Sequence, residues 1–380
     1  MPSILLDATS IPKQPVGAGI YIKNIVRGLL LSSSDFQFRV LAHQDDFSIF
    51  ELDDSYQKQF IFQKDHGRGA RIISEQATYP SIINQGNFCL YHGLHYSFPI
   101  IKPCPLIVTI HDLTYFTHPE MHIYLKRFYF KFFIKQACKK VDNILAISNN
   151  TKTDLLNIVN CDPEKITVTS LGVDRIYFME QSDIELEKTK QKYDLPENFI
   201  LFMGLIEPRK NVPLLIRAYL NLIDHFHINQ HLVIAGRWGW ESKNILEEID
   251  HHPQKSKIHF LGYVDENDKP SLYKLADIFV YPSAYEGFGL PVLEAMASGT
   301  PVVSSNISSM PEIVRNNGIL INPNDQAALE NAIKNLLNDS GLQESFSTNG
   351  KKQAQDFSWE CTINQTLLAY EKVLQQQGKK

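Results

Sequence analysis

The sequence predicts an α/β protein of two domains, each a parallel sheet covered by helices, and three observations carry that prediction. The chain has 380 residues with 43% hydrophobic content, more than one core of ordinary size accommodates. Short apolar runs rich in β-branched residues alternate with longer stretches of helical period. The alternation breaks once, between Asp174 and Asn198, where Met179-Glu-Gln-Ser-Asp-Ile-Glu-Leu-Glu-Lys-Thr-Lys190 is polar and charged.

Taken in order, strands are expected near Ile4–Leu6, Phe38–Leu41, Leu106–Ile110 and Ile144–Ile147, with helices near Ile20–Leu31, His122–Lys139 and Asn150–Val159. After the break come strand Phe199–Met203, helix Val212–Leu222, strand Leu232–Ala235, helix Ser242–Ile249, strand Ile258–Phe260, helix Ser271–Ala276 and strand Ile278–Tyr281. A further strand follows Pro301, and helices run on to Gln355. Trp359–Gln377 has helical period and no strand of its own. It either packs on the second domain or crosses back onto the first as a brace. The expected division is an N-terminal domain over residues 1–175, a linker over 176–198, a C-terminal domain over 199–357 and a terminal helix over 358–380.

Composition excludes several functions. Net charge is −5, and residues 1–180 hold 18 Lys+Arg against 17 Asp+Glu, too even a balance for a nucleic-acid binder. Five cysteines are scattered without a CxxC pair, which argues against zinc ribbons and disulfide frameworks and for a reducing cytoplasm. Met1–Asp7 reads as a buried first strand rather than a secretory leader. No stretch approaches the roughly 18 apolar residues of a spanning helix.

The most informative segment is Tyr281-Pro-Ser-Ala-Tyr-Glu-Gly-Phe-Gly-Leu-Pro-Val-Leu-Glu294. A strand ends at Tyr281, a turn runs through Gly287 and Gly289 with Phe288 and Leu290 beside them, and a helix starts with Pro291, in the position that favours Pro at a first turn. Glycines let the backbone approach a ligand, and the first amides of a helix face an anion. Glu286 and Glu294 would repel a bare phosphate unless they bond hydroxyls, which suits a polyol joined to a pyrophosphate. A corner with two solvated glutamates is the plainer alternative. A second segment, Phe199-Ile-Leu-Phe-Met-Gly-Leu-Ile-Glu-Pro-Arg-Lys-Asn211, places Arg209 and Lys210 after a strand, as a pyrophosphate site requires. A solvated loop pair is the alternative there.

Glu286-x7-Glu294, Gly204–Lys210 and the early loop Pro15-Val-Gly-Ala-Gly-Ile-Tyr21 resemble the family 4 retaining glycosyltransferases, whose GT-B fold sets two Rossmann-like parallel-sheet domains across a cleft. Ala146-Ile-Ser-Asn-Asn-Thr-Lys152 and Leu171-Gly-Val-Asp174 extend the resemblance over nearly the whole chain. It implies that Glu286 contacts donor-sugar hydroxyls, that Glu294 holds the ribose, and that Arg209 and Lys210 stabilise the leaving diphosphate. Gly17 and Gly19 would close over the phosphates from the other lobe, and His111 matches an active-site histidine. Many members carry a basic residue directly after the glycine equivalent to Gly204; here that residue is Leu205, leaving Arg209 to supply the charge. Arg237, Tyr263 and Val264 end strands where similar enzymes hold the nucleoside, although ordinary loop residues account for them equally.

The implied reaction is hexose transfer from a nucleotide sugar to a glycan or lipid-linked acceptor in polysaccharide or lipopolysaccharide biosynthesis. The Glu-Pro-Arg-Lys-Asn form makes GDP-mannose the favoured donor, with no further cofactor. A nucleotide-sugar epimerase of the same fold and a non-catalytic sugar-nucleotide sensor are the rivals. No DxD motif occurs and no metal is expected. Residues 122–140 hold six Lys or Arg and no acid, with Tyr124, Phe128 and Phe132 four apart. That helix either rests on anionic lipid at the inner face of the cytoplasmic membrane or turns its aromatics into the core.

Overall fold

In the computed structural model, residues 1–64, 67–239, 249 and 252–378 are described. The chain divides into two units, Met1–Gly172 with Trp359–Lys380, and Val173–Ser358.

The first unit is a seven-stranded sheet in the order β3-β2-β1-β4-β5-β6-β7. Its strands are β1 Ser3–Asp7, β2 Gln37–His43, β3 Phe60–Gln63, β4 Leu90–Gly93, β5 Leu106–Ile110, β6 Asn143–Ala146 and β7 Ile166–Val168. All pairings are parallel; Leu5, for example, lies between Arg39 and Tyr91. Every residue of β5 is buried, because helices cover both faces. Three short strands here, β3, β4 and β7, escape the sequence reading.

The second unit repeats the plan with six parallel strands in the order β10-β9-β8-β11-β12-β13. They are β8 Phe199–Met203, β9 His231–Ala235, β10 Ile258–Gly262, β11 Ile278–Tyr281, β12 Val302–Ser305 and β13 Ile319–Ile321. In both sheets the strand order reverses beside the first strand, leaving a crevice at the carboxyl ends where α/β proteins hold ligands.

Two expectations are corrected, and one left between two alternatives is decided. Residues 176–198 are not a linker: they belong to the second unit and contain helix Asp183–Tyr193. Its start is fixed by a capping box in which Ser182 and Glu185 satisfy each other's backbone amides. The first unit ends at Gly172 rather than residue 175. Of the two alternatives for Trp359–Gly378, the helix takes the crossing back to the first unit, where the buried Tyr370 hydroxyl meets His92 Nδ1 at 2.7 Å and Thr362 donates to the Ser170 carbonyl. The expected helix Ser242–Ile249 lies outside the described residues except for Ile249. No helix among the described residues is long and apolar enough to cross a membrane.

Candidate active site

Glu286 is the centre of the best-defined polar cluster in the second unit. It follows β11, and its buried carboxylate receives Lys210 Nζ at 2.5 Å on Oε1 and Arg209 Nη1 at 2.8 Å on Oε2. Ser283 donates to Oε1 at 2.7 Å and Tyr281 at 3.1 Å, while Lys210 also donates to the Tyr281 hydroxyl at 2.5 Å. Burial alone would push the Glu286 carboxyl up, but Arg209, Lys210 and the bonds from Lys210 and Ser283 outweigh it and bring it down to about 2. Burial and the neighbouring Arg209 lower Lys210, against the pull of Glu286.

The backbone holds this cluster because the loops after β8 and β11 are fastened together. Ala284 N–H and Ser283 Oγ both donate to the Arg209 carbonyl, at 2.7 and 2.9 Å. Pro208–Lys210 forms a single 3₁₀ turn that ends at Asn211 in the left-handed region, and the Asn211 amide reaches the carbonyls of Pro282 and Pro323. From the loop after β12, Ser308 accepts the Glu286 amide proton at 3.0 Å and Ser309 donates to the carbonyls of Glu286 and Phe288.

Helix Leu290–Ala297 begins directly beyond the turn, with Pro291 in its first turn. Gly289 has φ 120°, and a Cβ there would lie 2.2 Å from Met310 Cε, so the turn requires glycine. Gly287, Phe288 and Leu290 are buried beside it. Four residues further on, Glu294 accepts from the Tyr273 hydroxyl at 2.9 Å. Burial raises its pKa, Lys269 opposes this and Glu266 adds to it.

The structure thus gathers Glu286, Arg209 and Lys210 at the crevice of the second sheet. Gly204, Arg237, Tyr263 and Val264 end neighbouring strands on the same edge. Tyr281, Ser283, Ser308 and Ser309 escaped the sequence reading. Tyr281 and Ser283 stood within the quoted motif, but nothing in its spacing says that their hydroxyls turn toward Glu286.

His111, Gly17 and Gly19 belong to the first unit. His111 ends β5, is buried, and its Nε2 meets the Leu94 carbonyl at 3.0 Å. Burial lowers its pKa, keeping the ring neutral. Gly17 is exposed and Gly19 buried at the start of helix Ala18–Leu31. A second, unexpected cluster lies at this sheet's crevice. Asp7 at the end of β1 accepts from Tyr91 at 2.8 Å and from Thr9, while Arg71 Nη1 stands 3.7 Å from Asp7 and 3.5 Å from Glu75. Ser97 donates to Glu75 at 2.9 Å. Burial, only partly offset by Arg71 and reinforced by Asp7, pushes Glu75 up to about 7. Among the described residues no three His, Cys, Asp or Glu gather as a metal site would need.

Known proteins resemble the chain in sequence and in fold. Residues 15–175 match the family described as Glycosyltransferase Family 4, and residues 183–353 match Glycosyl transferases group 1. O-antigen chain mannosyltransferase B of Escherichia coli is 35% identical over 282 residues, 74% of each chain. O-antigen chain mannosyltransferase RfbU of Salmonella typhimurium is 30% identical over 255 residues, 67% of each chain. Among solved structures, sucrose-phosphate synthase from Thermosynechococcus elongatus superposes with TM-score 0.77 at 20% identity, covering 98% of this chain and 99% of that one. HepE from Anabaena, in complex with UDP and glucose, gives 0.75 at 19% identity over 98% and 100% of the two chains. The paired Rossmann-like sheets, the family matches and the mannosyltransferase relatives lead to one assignment: the chain belongs to the family 4, group 1 glycosyltransferases of the GT-B fold.

Proposed function

We propose that this glycosyltransferase moves a mannosyl residue from GDP-mannose to a glycan or lipid-linked acceptor in O-antigen or related polysaccharide assembly, with retention at the anomeric carbon. The observation that carries the reading is the Glu286–Lys210–Arg209 cluster at the second sheet's crevice. The names of the mannosyltransferase relatives support the sugar and the pathway class.

In this reading Lys210 and Arg209 neutralise charge as the sugar–phosphate bond breaks, which requires donors already in place. Glu286 holds them there before the donor arrives, and its ionised oxygens are fit to accept from sugar hydroxyls. Glu294 takes the ribose hydroxyls. The leaving phosphate assists removal of the acceptor proton on the same face, so no protein nucleophile and no metal are needed. Incubation with GDP-mannose and acceptor-bearing membrane extract should release GDP and form mannosylated product. Conversion of the nucleotide sugar without acceptor would mark an epimerase, and binding without turnover a sensor.

The acceptor side of the proposal includes the membrane surface. On helix Tyr124–Lys140, Tyr124, Leu125 and Phe128 are 81, 75 and 66% exposed, so the aromatics named from the sequence do not turn into the core. Lys135 and Lys139 are exposed on the same helix, and Lys131 Nζ lies 5.0 Å from the Phe116 ring. Interleaved aromatic and cationic side chains match an anionic lipid interface. Vesicles rich in phosphatidylglycerol should pellet the protein and neutral phosphatidylcholine vesicles should not. Loss of the difference is expected in Phe128→Glu, and equal pelleting by both vesicles would end the idea.

A further inference from the structure

Three loops meet on one side of the Glu286 cluster, and their backbones leave little freedom. Gly204 N–H donates to the Ala235 carbonyl, Ile206 N–H to the Arg237 carbonyl, and Gly239 N–H to the Ile206 carbonyl, at 2.8 to 2.9 Å. Gly236 N–H donates to the Gly262 carbonyl at 2.7 Å. Gly236 has φ +147°, and a Cβ there would lie 1.8 Å from the Gly204 carbonyl oxygen. The chain after β9 is therefore clamped between the loops that follow β8 and β10.

Arg237 leaves this clamp and lays its guanidinium over the Tyr263 ring, 4.4 Å from the centroid. Beside it Trp238 stacks on Phe260 at 5.0 Å and 30°. Arg237 is exposed, and Tyr263 and Trp238 keep much of their surface in solvent. An exposed surface of cationic and aromatic side chains at the carboxyl edge of a parallel sheet suits a planar ligand.

The strand order places that platform relative to the other groups. Running β11, β8, β9, β10, the edge presents Glu286, then Lys210 and Arg209, then Arg237, then Tyr263. Three strand spacings span roughly 14 Å. A nucleotide sugar laid along the edge with its hexose at Glu286 and its diphosphate at Lys210 brings its base to Arg237.

We propose that Arg237, held over the Tyr263 ring, is the residue that selects a guanine-bearing donor. The inference rests on the donor-site reading above and deepens it. A guanidinium that packs on an aromatic ring through its face keeps its in-plane N–H fork for a ligand. Guanine presents O6 and N7 as adjacent acceptors that such a fork bonds together. Uracil alternates acceptor O4, donor N3–H and acceptor O2, so the fork finds one acceptor at a time. A bidentate pair discriminates bases by about tenfold to a hundredfold.

Isothermal titration of GDP and UDP into the wild-type chain, Arg237→Lys and Lys210→Ala tests this. The expected result is GDP binding at least tenfold tighter than UDP in the wild type, with the two alike in Arg237→Lys, which keeps the charge and loses the fork. Lys210→Ala should weaken both nucleotides together. Equal affinities in the wild type, tighter binding of UDP, or a preference that survives Arg237→Lys would overturn Arg237 as the selector while leaving the diphosphate site intact. If neither nucleotide binds the wild type, the donor site fails and the selector with it.

Discussion

The two sheets share a topology and place opposite charge problems at the same point. At the second sheet's crevice two cations, Arg209 and Lys210, both bond Glu286, Arg209 Nε also pairs with Glu207 at 2.5 Å, and Glu286 is held ionised with its pKa near 2. At the first sheet's crevice two carboxylates, Asp7 and Glu75, converge on one cation, Arg71, and Glu75 is pushed up to about 7. The second sheet's crevice offers an anion two cations, Lys210 buried and Arg209 half-buried. The first offers one cation, Arg71, between two carboxylates. The fold repeats, and in the proposed reading the balance of charge decides which crevice takes phosphate.

The sharpest way to break this contrast is to remove the second crevice's buried cation. Lys210→Ala should lower kcat for mannosyl transfer by about a hundredfold to a thousandfold, the range for losing one preorganised donor to a developing charge. It also leaves Glu286 buried with one partner fewer, so a fall in melting temperature is expected. Arg209→Ala provides the check on misfolding, since Arg209 is partly exposed and its loss disturbs the core less. Its kcat should fall by about tenfold or more with the circular dichroism spectrum unchanged. Near-normal turnover in both variants would remove the cations from the mechanism.

What the sequence made legible follows from where each cluster's residues lie along the chain. Glu286, Gly289 and Glu294 sit in one strand–turn–helix segment, and Lys210 ends another, so local chemistry pointed to them. Asp7, Arg71, Glu75, Tyr91 and Ser97 come from β1, helix Gly67–Ala77, β4 and the loop beyond. Parallel pairing of β1 with β4 across more than 80 residues brings them together, and no spacing in the sequence announces it. Helix Asp183–Tyr193 was concealed by its charge, although Ser182-x-x-Glu185 is a capping signal legible in the sequence alone. The exposed aromatics of Tyr124–Lys140 show the reverse limit. Their four-residue spacing fixes a helix face but not whether that face meets protein or solvent.

The opposite pKa shifts predict opposite responses to pH. Folded Glu75 titrates near 7 against about 4.3 in an unfolded chain, so between those values the native state keeps a proton the unfolded state has lost. Its contribution is complete below about pH 4.3 and is lost as pH rises through 7. Glu286, depressed to about 2, contributes stability at every pH above about 4.3 and loses it as pH falls toward 2. Glu75→Gln should therefore match or exceed the wild-type melting temperature at pH 8 and bring no gain at pH 5. Glu286→Gln should melt lower at both. Thermal melts of the three proteins from pH 5 to 9 check this, and a Glu75→Gln curve parallel to wild type would mean that Glu75 does not carry the proton.

The smallest effect expected is also the most selective. Tyr281 accepts from Lys210 Nζ, donates to Glu286 Oε1, and stacks on Phe202 at 5.5 Å. Tyr281→Phe keeps the stacked ring and deletes only the hydroxyl, a change worth about 1 kcal/mol in stability. If the hydroxyl holds the ammonium against the carboxylate, kcat should fall by roughly fivefold to tenfold, the same energy expressed as a rate, with KM for the donor nearly unchanged. A role in folding alone would lower the melting temperature without touching kcat. Groups that act through one another give non-additive losses, so in the Lys210→Ala background the Tyr281→Phe substitution should cost almost nothing further. A full, independent loss in the double variant would show that Tyr281 acts on the reaction by a route that does not pass through Lys210.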